Sequence, residues 1–209
     1  EILSAWDLGG FISSVGNKAV DQAKIEATNQ VQKNIADKIG NSLPAIDSYF
    51  AVKIGSMVAT KSYKYLIGSW SSNTKKLTFV REGQSSASYS DFLRSLSSVQ
   101  AELAIVLVGK SNTPVGVVWV PEAAPKGDVQ AITKIFAPNY QGPSFNAKLG
   151  VPIILSSNLE ALKEETVTAQ LADEGLVDQK FMQTWDFGGF LSNVGNKAAE
   201  QAKIEATNQ

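Results

Sequence analysis

Residues Ala5 to Gln30 (AWDLGGFISSVGNKAVDQAKIEATNQ) return almost unchanged as Thr184 to Gln209 (TWDFGGFLSNVGNKAAEQAKIEATNQ), 179 residues further on, with 20 of the 26 aligned positions identical. Unrelated helices do not converge on that many identities, so one element is used twice and whatever folds between the copies is bounded on both sides. The differences are mild: Leu8/Phe187, Ile12/Leu191, Ser14/Asn193, Val20/Ala199 and Asp21/Glu200 keep size class or charge, and Ala5/Thr184 stands at the edge. The second copy ends with the chain where the first runs on into Val31. The expectation is an excerpt from a tandem array with a period of 179 residues. A terminal duplication is the alternative.

Composition narrows the chemistry. A chain of 209 residues, 44% hydrophobic and 19% charged, has the make-up of one ordinary globular core with a peripheral helix or two. Its 19 Lys and Arg balance 20 Asp and Glu, which leaves no bulk field to recruit nucleic acid or an anionic membrane surface. With no Cys and no His, disulfides, thiolate nucleophiles, the usual zinc sites and imidazole acid–base chemistry are all excluded. Serine is abundant, but no Gly-x-Ser-x-Gly elbow occurs. Gly9-Gly10 and Gly188-Gly189 lack the Lys-Ser/Thr partner of a phosphate loop. Glu160, Glu164, Glu165, Asp173 and Glu174 read as the solvated face of a terminal helix, without metal-ligand spacing. The expectation is no enzyme, no cofactor and no metal. The longest apolar stretches, Leu103 to Val108 and Val115 to Val120, fall far short of the ~20 residues a spanning helix needs. Nor does the opening Glu1-Ile2-Leu3-Ser4 look like a secretory signal.

Between the copies the pattern is α+β. From Gly16 to Ile39 there is no Pro, and Val20, Ala23, Ala27, Val31, Ile35 and Ile39 recur at three- and four-residue steps, which predicts one long helix. Gly40-Asn41 stops it, and Pro44 to Phe50 is expected to form a short second helix with Pro in its first turn. Tyr63 to Ser69, Lys76 to Arg81, Leu103 to Val108, Val115 to Val120 and Val151 to Leu155 read as strands. Ser88 to Leu96 places Tyr89, Phe92, Leu93 and Leu96 on one helical face. Asp128 to Phe136 can be helical until Pro138, Gly142 and Pro143 interrupt it, Ser144 to Leu149 reads as a short second attempt, and Lys163 to Leu171 closes the domain as a helix. The expected architecture is a central mixed five-stranded sheet flanked by helices, with a long N-terminal helix and a C-terminal helical repeat segment. The expected division is a helical connector at 1–42, the mixed domain at 43–178, and the start of the next connector at 179–209.

Six pieces of this middle region, in order, resemble the actin-depolymerising factor homology (ADF-H) domain, the module of cofilin. They are Tyr63-Lys64-Tyr65-Leu66-Ile67, Lys75 to Gly83 (KKLTFVREG), Tyr89 to Leu96 (YSDFLRSL), Leu103 to Val108, Val117 to Lys126 (VVWVPEAAPK), and Gly150 to Leu155 with Leu159 to Leu162. The VVWVPEAAPK corner is the most specific of them. The resemblance implies a non-catalytic actin-binding module, with actin as partner and a cytoplasmic, cytoskeleton-associated location. This sequence departs from the family after the corner: where the family runs into a Ser-Ser-Lys and a long straight helix that faces actin, residues 127–143 contain Pro138, Gly142 and Pro143. A Pro inside that helix would cost ~3 kcal/mol, so the helix is expected to be shortened or remade as a loop. By position, Lys126, Gln130, Lys134 and Lys148 are the residues the resemblance assigns to actin.

The repeated segment carries the other candidate surface. Trp6, Phe11, Ile12 and Val15, and their counterparts Trp185, Phe190, Leu191 and Val194, put large apolar groups at the head of an otherwise polar helix. They are expected to dock neighbouring repeat units on one another. Insertion into a membrane interface is disfavoured, because Lys18 and Lys24 are balanced by Asp7, Asp21 and Glu26. Two functions follow as expectations: a tandem actin-binding or bundling protein, or a structural and adhesive spacer of the same fold that has lost actin and self-associates through its Trp/Phe helices.

Overall fold

The computed structural model describes residues 6–176. One compact unit begins at Gln32 and takes in the rest of the described chain; residues up to Val31 fall in a second unit. Helix α1 (Trp6–Ser42) is longer at both ends than the apolar periodicity indicates. Within the compact unit its residues Ile35, Ala36 and Ile39 are buried, as the three- and four-residue spacing requires. Trp6, Phe11, Ile12 and Val15 belong to the first turns of α1, whose side chains lie outside those described; Trp185, Phe190, Leu191 and Val194 lie outside the described residues altogether.

The second helix is displaced from its expected place. Pro44 and Ala45 form a turn, Ile46 makes a parallel bridge to Leu77, and α2 runs Ser48–Thr60. Asp47 sets that start. Its backbone is extended, one carboxylate oxygen accepts from the Phe50 N–H at 2.9 Å, and the other accepts from the Phe79 N–H at 3.1 Å. A single side chain thus caps the helix and ties it to the sheet edge, which outweighs the weaker start signal of Pro44. Helix α2 ends on Lys61 in the left-handed conformation, with φ 55°.

The sheet has six strands rather than five. They are β1 (Tyr63–Ser71), β2 (Lys76–Gln84), β3 (Glu102–Val108), β4 (Thr113–Trp119), β5 (Ser144–Asn146) and β6 (Val151–Ser156), in the order β2-β1-β3-β4-β6-β5. The extra strand is β5, where a helical turn was expected. Three residues are too few to show a period, and their state is decided by their antiparallel partner, Phe145 opposite Pro152. All neighbours are antiparallel except β4 and β6, whose parallel pairing needs a crossover. Helix α4 (Lys126–Phe136) supplies it.

Alternation along the strands loads both faces. Tyr65, Ile67, Ala104, Val106, Val115, Val117, Trp119 and Ile154 form one core with Tyr89 and Phe92 of α3 (Tyr89–Ser95), with Leu162, and with Val167 and Leu171 of α5 (Glu164–Asp173). The opposite face receives α2 over β1 and β2, and α4 over β1 and β4. Two glycines there mark close approaches. A Cβ on Gly68 would stand 2.3 Å from the Phe50 ring, and one on Gly55 would stand 2.7 Å from the Gln32 carbonyl oxygen. Phe50 therefore seats directly on β1, and α2 meets the end of α1 backbone to backbone. The result is three layers, helices on each side of a mixed sheet.

Candidate functional site

The site is built outward from the end of β4. Trp119 lies opposite Glu102 of β3 and in parallel register with Ser156 of β6. Its indole N–H donates to the Ser97 carbonyl at 2.6 Å, and the Val120 N–H donates to the Ser156 carbonyl at 3.0 Å. The ladder stops at Pro121, which has no donor to give. A turn follows, closed by the Ala124 N–H on the Pro121 carbonyl at 2.9 Å. The Pro125 carbonyl then accepts from Asp128 and Val129 at 3.0 and 3.1 Å, and α4 begins. No side chain caps that end, but Asp128 sits in the first turn, where the helix dipole favours an acid.

Under this corner lies a buried carboxylate that composition and periodicity did not single out. Glu102 is 0% exposed. It accepts from the Arg81 guanidinium, from the Ser97 N–H at 2.9 Å and from the Ser69 hydroxyl at 3.1 Å. Ser97 thus donates to Glu102 and accepts from Trp119, so the carboxylate holds the loop that orients the tryptophan. A fully buried charge at the head of an apolar strand is tolerable only with such partners.

Helix α4 divides cleanly. Ile132 and Phe136 are 0% and 1% exposed and anchor it to the sheet. Lys126, Gln130 and Lys134 are all exposed, and their four-residue spacing puts them on one face. The structure therefore brings together three of the four residues assigned by resemblance. Lys126, Lys134 and Lys148 make no ion pair with described residues.

The helix stops where the sequence says it must. The Ala137 N–H closes the last turn on the Thr133 carbonyl at 2.8 Å, Ala137 leaves helical geometry at φ −136°, and Pro138 follows. Asn146 does the remaining work at this end. Its amide N–H donates to the Phe136 carbonyl at 2.9 Å, while its amide oxygen accepts from the backbone of Lys148 and Leu149 at 3.1 and 3.0 Å. The turn bearing Lys148 is thus tied to the C-terminal carbonyl of α4, which relates the fourth residue to the other three. Asn146 was not among the residues picked out in the sequence. The only available signal was an Asn four residues before a Gly in an irregular stretch.

The acidic group near the C-terminal helix is less uniform than its composition implies. Glu160 and Glu165 are exposed, but Glu164 is half-buried, accepts from the Gly109 N–H at 3.0 Å and pairs with Lys64 at 3.6 Å. Beside it the Tyr89 hydroxyl is buried, and burial, then the charges of Glu164 and Glu165, raises its pKa above the ordinary phenol value.

No family model matches the chain, and no curated protein matches it. Among solved structures it is similar to cofilin from Streptomyces griseoflavus, with 18% identity and a TM-score of 0.48 over 59% of this chain and 93% of that one. It is similar to the cofilin homology domain of the yeast actin-binding protein ABP1P, at 17% identity and TM-score 0.43, over 59% and 89% of the two chains. Coactosin from Entamoeba histolytica shares 14% identity at TM-score 0.45, over 58% and 90%.

Proposed function

We propose that the chain is a non-catalytic actin-binding module of a tandem ADF-H-like protein, one that binds or bundles filaments. The reading rests on the exposed face of α4. Lys126, Gln130 and Lys134 stand in line on a helix fixed from behind by Ile132 and Phe136, in the position that the resemblance assigns to actin contact. Solvated lysines on one short face give modest affinity per module. Repetition at fixed spacing multiplies such contacts through effective concentration, which favours decoration or bundling over severing. In this reading 43–178 is the binding domain, 1–42 and 179–209 are connectors, and Trp6, Phe11, Ile12, Val15 with Trp185, Phe190, Leu191, Val194 dock successive units. The location is cytoskeletal.

Cosedimentation of a multi-unit chain with filamentous actin at low salt tests it. The expected result is saturable pelleting that falls at least several-fold in Lys126→Ala/Lys134→Ala, with unchanged thermal midpoint. No pelleting above background rejects actin binding.

One observation favours a second reading, that of a structural or adhesive spacer. Helix α4 ends at Phe136 after three turns, before Pro138, Gly142 and Pro143, so its exposed face is short. A spacer would show no lysine-dependent actin binding. It would lose self-association when residues 184–209 are removed.

A further inference from the structure

Lys53 leaves α2 into a cage of aromatic rings. Its Nζ stands 4.7 Å from the ring centre of Tyr63, 5.3 Å from that of Phe79 and 5.7 Å from that of Tyr49. Two polar groups complete the enclosure: Nζ donates to Glu82 Oε2 at 2.6 Å and to the Tyr63 hydroxyl at 3.1 Å. The walls are themselves fixed. Tyr49 meets Phe79 edge-on with centres 5.5 Å apart, Phe79 is held through its backbone by Asp47, and Tyr63 pairs with Gln84 across the β1–β2 ladder. Lysine ammonium groups ordinarily snorkel into water, yet this side chain is only 17% exposed. The Glu82 hydrogen bond, the largest influence on it, raises its pKa above the ordinary lysine value despite partial burial.

Aromatic rings, a phenol oxygen and one carboxylate close around a cation are elements by which alkylammonium groups are recognised. The rings attract the spread positive charge of N–H and N–CH3 groups, and the acid supplies net charge complementarity. We propose that Tyr49, Tyr63, Phe79 and Glu82 form an ammonium-binding site, occupied in the resting molecule by Lys53 and able to take an alkylammonium group when that side chain is absent. Because the cation comes from α2 while Tyr63, Phe79 and Glu82 come from β1 and β2, its occupancy also latches the helix to the sheet edge.

The test is replacement of the internal cation from solution. Lys53→Gly is expected to lower the thermal midpoint by several degrees. Ethylammonium chloride should restore part of the loss saturably, while sodium chloride at equal ionic strength should not. The same titration should leave wild type and Lys53→Gly/Glu82→Gln unmoved. Recovery that is equal in sodium chloride, or equal without Glu82, or absent in a folded Lys53→Gly, overturns the proposal. If Lys53→Gly does not fold, the wild-type protein decides: the rings must shift the Lys53 ε-methylene protons upfield by NMR, and an unshifted resonance overturns the cage.

Discussion

Glu102 offers the sharpest test of how the Trp119 corner is held. Glu102→Ala removes the acceptor for the Ser97 N–H, the Ser69 hydroxyl and the Arg81 guanidinium together. These losses are unequal. Ser69 keeps a bond to the Gln100 side chain at 3.0 Å, so its hydroxyl is not orphaned. Arg81 is 38% exposed, and water screens much of what it loses. The Ser97 amide has no second acceptor among the described residues, and the cavity left by the side chain adds its own cost. Hydrogen bonds to charged groups contribute ~1.5–3 kcal/mol each, and removing one partner of a buried pair costs ~3–5 kcal/mol. Because Arg81 is partly in water, the cost should fall below that of a fully buried pair, and we expect about 2–4 kcal/mol for Glu102→Ala, a large part of the ~5–15 kcal/mol a domain commonly has. Glu102→Gln keeps the shape and an oxygen for Ser97 while removing the charge, and should cost ~1–2 kcal/mol. Urea unfolding followed by circular dichroism measures both, and the Trp119 indole N–H resonance reports the corner. A loss below ~1 kcal/mol for Glu102→Ala with an unmoved indole resonance would refute the claim that this carboxylate orients the loop.

Other expectations follow from single contacts. Gly55→Ala would gain ~1 kcal/mol of helix propensity on an open surface, but here the new methyl meets the Gln32 carbonyl at 2.7 Å, backbone that cannot swing aside. A net loss of ~1–3 kcal/mol in denaturant unfolding is expected, and a gain would show that α2 and the end of α1 are not in contact. Hydrogen bonds from the Ser88 side chain and backbone, then from Arg94, hold the Asp91 carboxyl at about 2, below its ordinary value. Its contribution to stability is therefore complete above about pH 4 and is lost as the pH falls through 2. An NMR titration should find that midpoint, and Ser88→Ala should move it back towards the ordinary carboxylate value; an unshifted wild-type midpoint would count against the capping box.

Much of the fold was legible because its signals are local and repeated. Strands β1 to β4 and β6 each carry a run of aromatic and β-branched residues bounded by a break, and their cores alternate as a two-sided sheet demands. The capping box at Ser88 and Asp91 fixes α3 within a residue of its expected place. What escaped was decided at a distance. Asp47 displaces the start of α2 because its carboxylate has a second donor, Phe79, 32 residues away. Strand β5 exists through its pairing with β6, and no window of three residues could report it.

The candidate site divides along the same line. Part of the exposed face of α4 could be read from spacing, since Gln130 and Lys134 lie four apart within the helix expected from Asp128 and Ile132 and Phe136 occupy the opposite side, whereas Lys126, before that expected start, came from the resemblance alone. The parts that position it could not. Glu102 stands just before the expected strand at Leu103 and looks like an ordinary flanking polar residue until Arg81, Ser69 and Ser97 converge on it, and Asn146 looks like a loop residue until its amide meets the Phe136 carbonyl. Both are polar groups satisfied by partners from other elements, which leaves no periodic trace in sequence. The exposed face of α4 is thus set by helix geometry, whereas the groups that aim the helix are set by tertiary hydrogen bonds. Substitutions at Asn146 should therefore disturb the relation between Lys148 and α4 without touching any lysine, because its amide is what links the Lys148 turn to the Phe136 carbonyl.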